Sequence, residues 1–362
     1  GGARHEPCGP EGAGVLTDGT GTRDTRRFAV PLEPGSNPVT PILPPQKSRM
    51  SAGASSRHGT EAARFALGLM AEPGREIYGG TAWGNPCGYD HPIGPWPRRE
   101  PPPEAIRLIA PEEFRTWILH EDERLLVLNK PGDVVCHPSK AGPWSSLCGA
   151  AREHLGGGAV HLVFRLDRET SGVVVVAKDE ATGRLLQRVT VERSYAKVYH
   201  AILVGELEAE TLVDRPLGPD YSGQLRTKTC VVPEGQGKRA VTRYTPLVAG
   251  GGFTLARVTT ETGRMHQIRA HAEWLGHPLV GDKIYGPDQN LFLEFLDTGW
   301  TPALAAQLHL QRQALHCAEI ALSLRGEPHV FGAGLPEDLA GFALEHIGEA
   351  ARPAVDGLRG RI

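Results

Sequence analysis

The chain has 362 residues, with 39 Lys and Arg against 42 Asp and Glu, a formal net charge of −3. That length can bury a sizeable core and could hold two domains. The near-neutral balance argues against a protein that coats nucleic acid nonspecifically, but it is compatible with an enzyme carrying one local basic cleft.

The first hundred residues are rich in Gly and Pro, in strings such as Pro41-Ile-Leu-Pro-Pro45 and Glu100-Pro-Pro-Pro103. Such a composition buries too little apolar surface to offset chain entropy, so residues 1–104 are expected to form a mostly disordered extension. Within it, Ala62, Phe65, Ala66 and Leu69 have helical spacing and predict one short helix over 61–70. The chain begins with Gly1 and its first methionine is Met50, which fits a tag, a fragment boundary or translated upstream sequence; a leader without function, rather than an RNA-binding extension, is the expectation for this stretch.

From 121 onward the pattern changes. Residues 125–128 read as a strand ending at Asn129-Lys-Pro131, and 145–155 as a helix. Residues 160–164 and 173–178 read as two strands flanking a turn at Asp167. A helix over 181–191 has Asp179 as its N-cap, and 195–204 is a long alternating strand. Two more strands, 241–248 and 253–260, flank Gly250-Gly-Gly252. A helix over 265–275 has Ile268, Ala272 and Leu275 on one face. Late strands are expected at 315–324 and 329–331, and Pro336 starts a last helix. Strands outnumber helices and short turns join them, which predicts the α+β class with a mixed, mostly antiparallel sheet. One domain is expected over 105–345, followed by a tail over 346–362.

Six cysteines form no Cys-x-x-Cys pair, and their spacing suits neither a zinc ribbon nor a disulfide scaffold, so a reducing, cytoplasmic setting is expected. The longest apolar run, 173–177, is too short for a membrane span, and no basic start followed by an apolar core marks a secretory signal.

The chemistry concentrates in Phe164-Arg-Leu-Asp-Arg-Glu-Thr-Ser-Gly172. Asp167 lies between Arg165 and Arg168, and a carboxylate among cations stays ionised. Such a group suits a nucleophile acting on an anionic polymer. Taken alone, such a string is more often a solvated charge cluster followed by a turn. Two further segments alter that balance: Thr262-Gly-Arg-Met-His-Gln-Ile-Arg-Ala-His271 and Gly276-His-Pro-Leu-Val-Gly-Asp-Lys-Ile-Tyr-Gly286. Between them and the first lies Lys197-Val-Tyr199, and before all of them Ile118-Leu-His-Glu-Asp-Glu-Arg-Leu-Leu-Val-Leu-Asn-Lys-Pro131.

In this order the segments resemble the RluA-type family of RNA pseudouridine synthases, over roughly residues 105 to 345. Arg312-Gln-Ala-Leu-His316 and residues 331–339 are similar to the family's late segments. Phe164 departs from the pattern, because the family usually has His there. The resemblance implies a central bent sheet with flanking helices and a cleft across its middle. It implies an isomerase without cofactor or metal that acts on uridine in rRNA or tRNA by flipping the base out of the RNA. It assigns the essential carboxylate to Asp167, a ring against the flipped uracil to Tyr199, and the partner of Asp167 to Arg269.

Arg165 would fill the gap in the stack, with an ion pair to Glu169 or Asp167 as the structural alternative. Arg168, Lys197, Arg264 and Gln267 are further candidates for RNA contact; for Arg264 and Gln267, bracing the turn is the other reading, and for Lys197 a solvated side chain. Lys238 and Arg239 lie in a basic loop over 233–239 that either contacts phosphate or is simply solvated. His266 and His271 invite a metal-dependent hydrolase. Their five-residue separation does not stack them on one helical face, and no ligand nearby completes a set, so no metal is expected. The other competitor is a non-catalytic RNA-binding protein of the same fold. RNA is the expected partner, without a membrane, and the chain is expected to be a monomer.

Overall fold

The computed structural model describes residues 107–138, 142–221, 225 and 227–360. The leader over 1–104 and its helical pattern at 61–70 lie outside them. The described chain opens with a short helix, α1 (Pro111–Arg115), and two strands, β1 (Ile118–Glu121) and β2 (Leu125–Lys130). Helix α2 (Leu147–His154) follows a 3-10 turn, and Ser146 caps it by accepting from the Gly149 N–H. Then come β3 (His161–Leu162), β4 (Ser171–Ala177), α3 (Glu180–Val191) and β5 (Tyr195–Val204). The expected cap of α3 is present: the Asp179 carboxylate accepts from the Thr182 N–H at 2.8 Å.

Strands β6 (Thr211–Asp214), β7 (Leu217–Pro219), β8 (Thr229–Val231), β9 (Val241–Gly250) and β10 (Phe253–Thr260) precede helix α4 (Gln267–Leu275). The last third holds α5 (Asn290–Thr298), α6 (Pro302–Leu308), β11 (Leu315–Leu324), β12 (Glu327–Gly332), α7 (Glu337–Phe342) and α8 (Arg352–Arg359). Ten strands form one sheet with the path β1-β2-β4-β11-β5-β10-β9-β6, while β3 pairs with β4 and β12 with β11. Its pairs are antiparallel except β4 with β11, which run parallel. The mixed, mostly antiparallel sheet expected from the sequence is therefore observed.

Strand β4 is buried along its whole length, which is why it reads as an unbroken β-branched run rather than an alternating one. Helix α3 packs on it through Leu186 and Val189. On β5 the alternation is plain: Tyr199, Ala201 and Leu203 join the main core, and Ile202 faces a second core on the other side. No helix among the described residues is long and apolar enough to cross a membrane.

Several elements differ from expectation. The strand expected over 160–164 shrinks to His161–Leu162, because the chain leaves the sheet to build the Asp167 loop. The helix expected from 265 starts at Gln267, because His266 adopts a left-handed backbone, φ 53°. The segment expected as a tail carries α8, whose Val355 and Leu358 complete the second core with Ala351. Their spacing, 351, 355, 358, is helical, and Pro353 stands in the first turn. Helices α5 and α6 have no counterpart among the expected elements, although Thr301 caps α6 by accepting from the Leu304 N–H and Pro302 follows it.

At Gly172 the chain must pass close to another strand. Its φ is +117°, and an added Cβ would lie 2.2 Å from the Cys317 carbonyl oxygen on β11. Only glycine meets both demands. Gly172→Ala should therefore destabilise the protein by at least about 2 kcal/mol, read as a lower urea midpoint with unchanged slope.

Candidate active site

The Asp167 loop joins β3 to β4, and three ties pin it. The Lys130 ammonium, fully buried at the end of β2, donates to the carbonyls of Pro131, Val134 and Arg168 at 2.7, 2.8 and 3.0 Å. Burial draws its pKa down to about 8. The Lys283 ammonium donates to the Glu169 carboxylate at 2.7 Å, and the Gln313 amide donates to the Thr170 hydroxyl at 2.6 Å. Side chains from three distant segments therefore fix the backbone on which Asp167 stands.

Helix α4 presents Arg269 to that loop. Arg269 Nη1 donates to Asp167 at 3.0 Å. Its other edge forks onto Asp282, Nε at 2.6 Å and Nη2 at 2.8 Å. Asp282 also accepts from the N–H groups of Ile284 and Tyr285, each at 3.0 Å. The Tyr285 ring underlies the guanidinium at 4.9 Å. One exposure contrast decides the chemistry: the side chain of Asp167 is 33% exposed, that of Arg269 6% and that of Asp282 0%. The cation and its anchor are sealed while Asp167 can be reached.

Burial would push the Asp167 carboxyl up. The charge His266 carries in the acid range where Asp167 titrates and the charge of Arg269, with hydrogen bonds from Arg269 and Gln313, outweigh it and hold the group below the usual carboxylate range. His266 Nε2 lies 3.9 Å from Asp167. Burial also opposes ionisation of Asp282, and Arg269 with the two backbone donors overcomes it. Arg269 is raised above its usual value by the two carboxylates despite its burial.

Tyr199 is 9% exposed and sits in the field of Asp167. Burial raises its phenol well above 10, and Cys317 and Asp167 add to the shift. The structure thus brings Asp167, Tyr199 and Arg269 together. Arg165 is exposed and makes no hydrogen bond or ion pair among the described residues; its alternative ion pair with Glu169 is absent, because Glu169 is held by Lys283. Arg168 is exposed too and, among the described residues, its side chain reaches only the Asp133 carbonyl, at 3.4 Å.

Two candidates for RNA contact are placed otherwise. Gln267 is buried, and its amide has no polar atom left for a base or phosphate. The oxygen accepts from the Thr262 hydroxyl and the Arg264 N–H, and the nitrogen donates to the Val241 carbonyl and the Thr242 hydroxyl. It braces the turn, the second of the two readings open for it. The Lys197 ammonium lies 4.2 Å over the Phe164 ring, and the Phe164 ring is 4.8 Å from that of Tyr195. Burial lowers the Lys197 pKa. The cation is answered by aromatic faces rather than turned to solvent, and Phe164 supplies the ring.

Arg264 is half-buried and donates to the Arg239 carbonyl at 3.0 Å, so it ties the 233–239 loop to the site. Arg239 itself pairs with Asp214 and Glu261, each at 3.3 Å. His271 has both ring nitrogens engaged, with the Thr242 hydroxyl and the Arg215 carbonyl, and burial takes its pKa to about 4.

The sequence reading assigns no role to Asp282 and so misses it. The available signal is the one carboxylate in the string Leu279-Val-Gly-Asp-Lys-Ile-Tyr-Gly286. Gln313 is likewise visible only as part of a late segment.

The sequence profile of the RNA pseudouridylate synthase family matches residues 124–274. The ribosomal large subunit pseudouridine synthase D of Zymomonas mobilis is 35% identical over 239 residues, which are 63% of this chain and 72% of that protein. The enzyme of the same description from Pseudomonas aeruginosa is 36% identical over 240 residues, covering 63% and 70%. Among solved structures, human RNA pseudouridylate synthase domain containing 4 superposes with a TM-score of 0.51 at 26% identity, covering 66% of this chain and 95% of that one. The fold and these relatives define an isomerase. The chain belongs to the RluA-type family of RNA pseudouridine synthases.

The Arg269–Asp282 pair carries an acid-stability prediction. Both Asp282 and Asp167 have folded-state pKa values below their unfolded ones. The stability they contribute is present above about pH 4 and is lost as the pH falls through the folded values. Asp282→Asn leaves Arg269 buried with one partner and should cost about 3–5 kcal/mol at neutral pH. Its urea midpoint should also fall less steeply than that of the wild type between pH 5 and pH 3.

Proposed function

We propose that this enzyme converts a uridine of ribosomal or transfer RNA to pseudouridine, with Asp167 as the essential carboxylate. Ribosomal RNA is favoured, because the relatives from Zymomonas mobilis and Pseudomonas aeruginosa are named for the large ribosomal subunit. The reaction breaks the N1–C1′ bond of the nucleotide and joins C1′ to C5 of the same base. It needs no redox partner and no external group. It needs an ionised group at the sugar or base, and a pocket that retains the detached uracil.

The observation that carries the reading is the reachable carboxylate beside a sealed cation. Asp167 is kept ionised by Arg269, and Arg269 is kept in place by Asp282. Tyr199, with its phenol held protonated by burial, supplies the ring against the uracil. Exposed Arg165, without a partner among the described residues, enters the gap left by the flipped nucleotide, since guanidinium both stacks and donates. A non-catalytic RNA binder fits this site poorly, because a carboxylate facing phosphates opposes their binding. The reading needs one copy of the chain, since all these groups come from a single subunit. It places the enzyme in the cytoplasm, where the four described cysteines, all free, stay reduced.

Asp167→Asn keeps the size of the side chain and removes its charge. Tritium release from 5-tritiated uridine RNA should fall by roughly a thousandfold or more, while cooperative unfolding persists. Activity within tenfold of wild type would sink the assignment.

Arg165→Ala separates flipping from simple attraction. Unstacking a base costs a few kcal/mol in a helix and less in a flexible strand. Single-turnover rates should therefore drop far more on a structured stem-loop than on a loose strand of the same local sequence. Equal losses on both RNAs would leave Arg165 as a phosphate contact.

A further inference from the structure

His266 has no part in that scheme, yet its setting is specific. Its backbone is left-handed, φ 53° and ψ 20°, a conformation that His, Asn and Gly accept more readily than bulky residues do. That turn places the imidazole between two partners. Nδ1 lies 3.0 Å from the Tyr285 hydroxyl, and Nε2 lies 3.9 Å from the Asp167 carboxylate. The second distance is too long for a hydrogen bond, and no other described group accepts from Nε2.

The hydrogen positions follow from the neighbours. The Thr229 backbone N–H donates to the Tyr285 oxygen at 2.9 Å. The Thr229 hydroxyl donates to the Met265 carbonyl at 3.2 Å. The Tyr285 hydroxyl then has two acceptors in reach, His266 Nδ1 at 3.0 Å and the Thr229 hydroxyl oxygen at 3.1 Å; the shorter contact gives its hydrogen to Nδ1, and burial keeps that phenol protonated by raising its pKa. The opposite tautomer would aim the lone pair of Nε2 at a carboxylate, and the two negative ends repel. Burial and Arg269 outweigh Asp167 and Asp282 and lower the pKa of the imidazole, so the ring is neutral at neutral pH. Hydrogen bonding on one side and electrostatics on the other select the same form, with the proton on Nε2.

We infer that His266 is a further substrate-contacting residue: its Nε2–H donates a hydrogen bond to an oxygen of the flipped uridine beside Asp167, and Tyr285 sets the tautomer that makes this possible. The inference rests on reading Asp167 as the reacting carboxylate. Pseudouridine formation detaches uracil as a group carrying negative charge, and a preorganised neutral donor stabilises charge as it develops.

The ring nitrogens of His266 can be read directly by 15N NMR of the full chain, assigned by the signals lost in a His266 variant. At pH 7.5 the wild type should show the pattern of a neutral ring protonated on Nε2. Tyr285→Phe should convert it to a mixture of both tautomers. His266→Gly keeps the left-handed backbone and removes the donor, so its single-turnover rate should fall 10–100-fold while RNA affinity stays within twofold. An Nδ1–H pattern in the wild type, or a His266→Gly enzyme at wild-type rate, would overturn the inference. An active Asp167→Asn enzyme would instead remove the premise whatever ring pattern the wild type shows, so the two failures read differently.

Discussion

The site depends on one guanidinium shared between two carboxylates. A buried arginine is tolerable only when its donors are answered, and Asp282 answers two of them from a fully closed position. Asp282 is in turn fixed by two backbone N–H groups, and the Tyr285 ring lies beneath the guanidinium. The Nη1 group of Arg269 is thereby aimed at Asp167 without freedom to wander. A lysine in the same place would supply charge but not the fork that serves both acids. The arrangement separates two tasks that are often in conflict: the sealed pair carries structural integrity, and the exposed carboxylate is left free for chemistry.

The rest of the fold supplies the walls. Lys130, Lys283 and Gln313 hold the loop at three successive residues, 168, 169 and 170, and each comes from a different stretch of chain. Phe164 fits this picture although it departs from the usual histidine. Its ring receives the Lys197 ammonium and abuts Tyr195, so the departure replaces a titratable group with an apolar platform. Where that histidine would stand, no imidazole changes charge near neutral pH.

Much of this is legible in the amino-acid sequence alone. The unbroken valine run announces a doubly buried strand, the alternation from Tyr195 to Val204 marks the central strand at its observed limits, and Asp179 marks its helix start. The ordered segments point to Asp167, Tyr199 and Arg269, which the fold does gather. What escapes a sequence reading is set by tertiary partners rather than local pattern. Gln267 has the chemistry of an RNA contact, and only the positions of Val241 and Thr242 turn it inward. Lys197 looks like a surface lysine until Phe164 is placed beneath it. Asp282 looks like a turn residue until Arg269 reaches it from thirteen positions upstream. The C-terminal helix, by contrast, has a readable spacing, but it lies past the end of the family resemblance.

The parallel pairing of β4 with β11 has a consequence for biogenesis. Gly172 closes the Asp167 turn, and its register is set by Cys317; next to it Ser171 bonds His316 across 145 residues of sequence. Long-range pairing of this kind forms late, after the cost of closing a large loop has been met. A nascent chain emerging at about 5–20 residues per second holds Asp167 well before it holds the strand that seats it. The carboxylate is synthesised before the strand that seats it and becomes a site only once β11 has paired with β4, so a product that stops short of β11 should stay inert toward RNA.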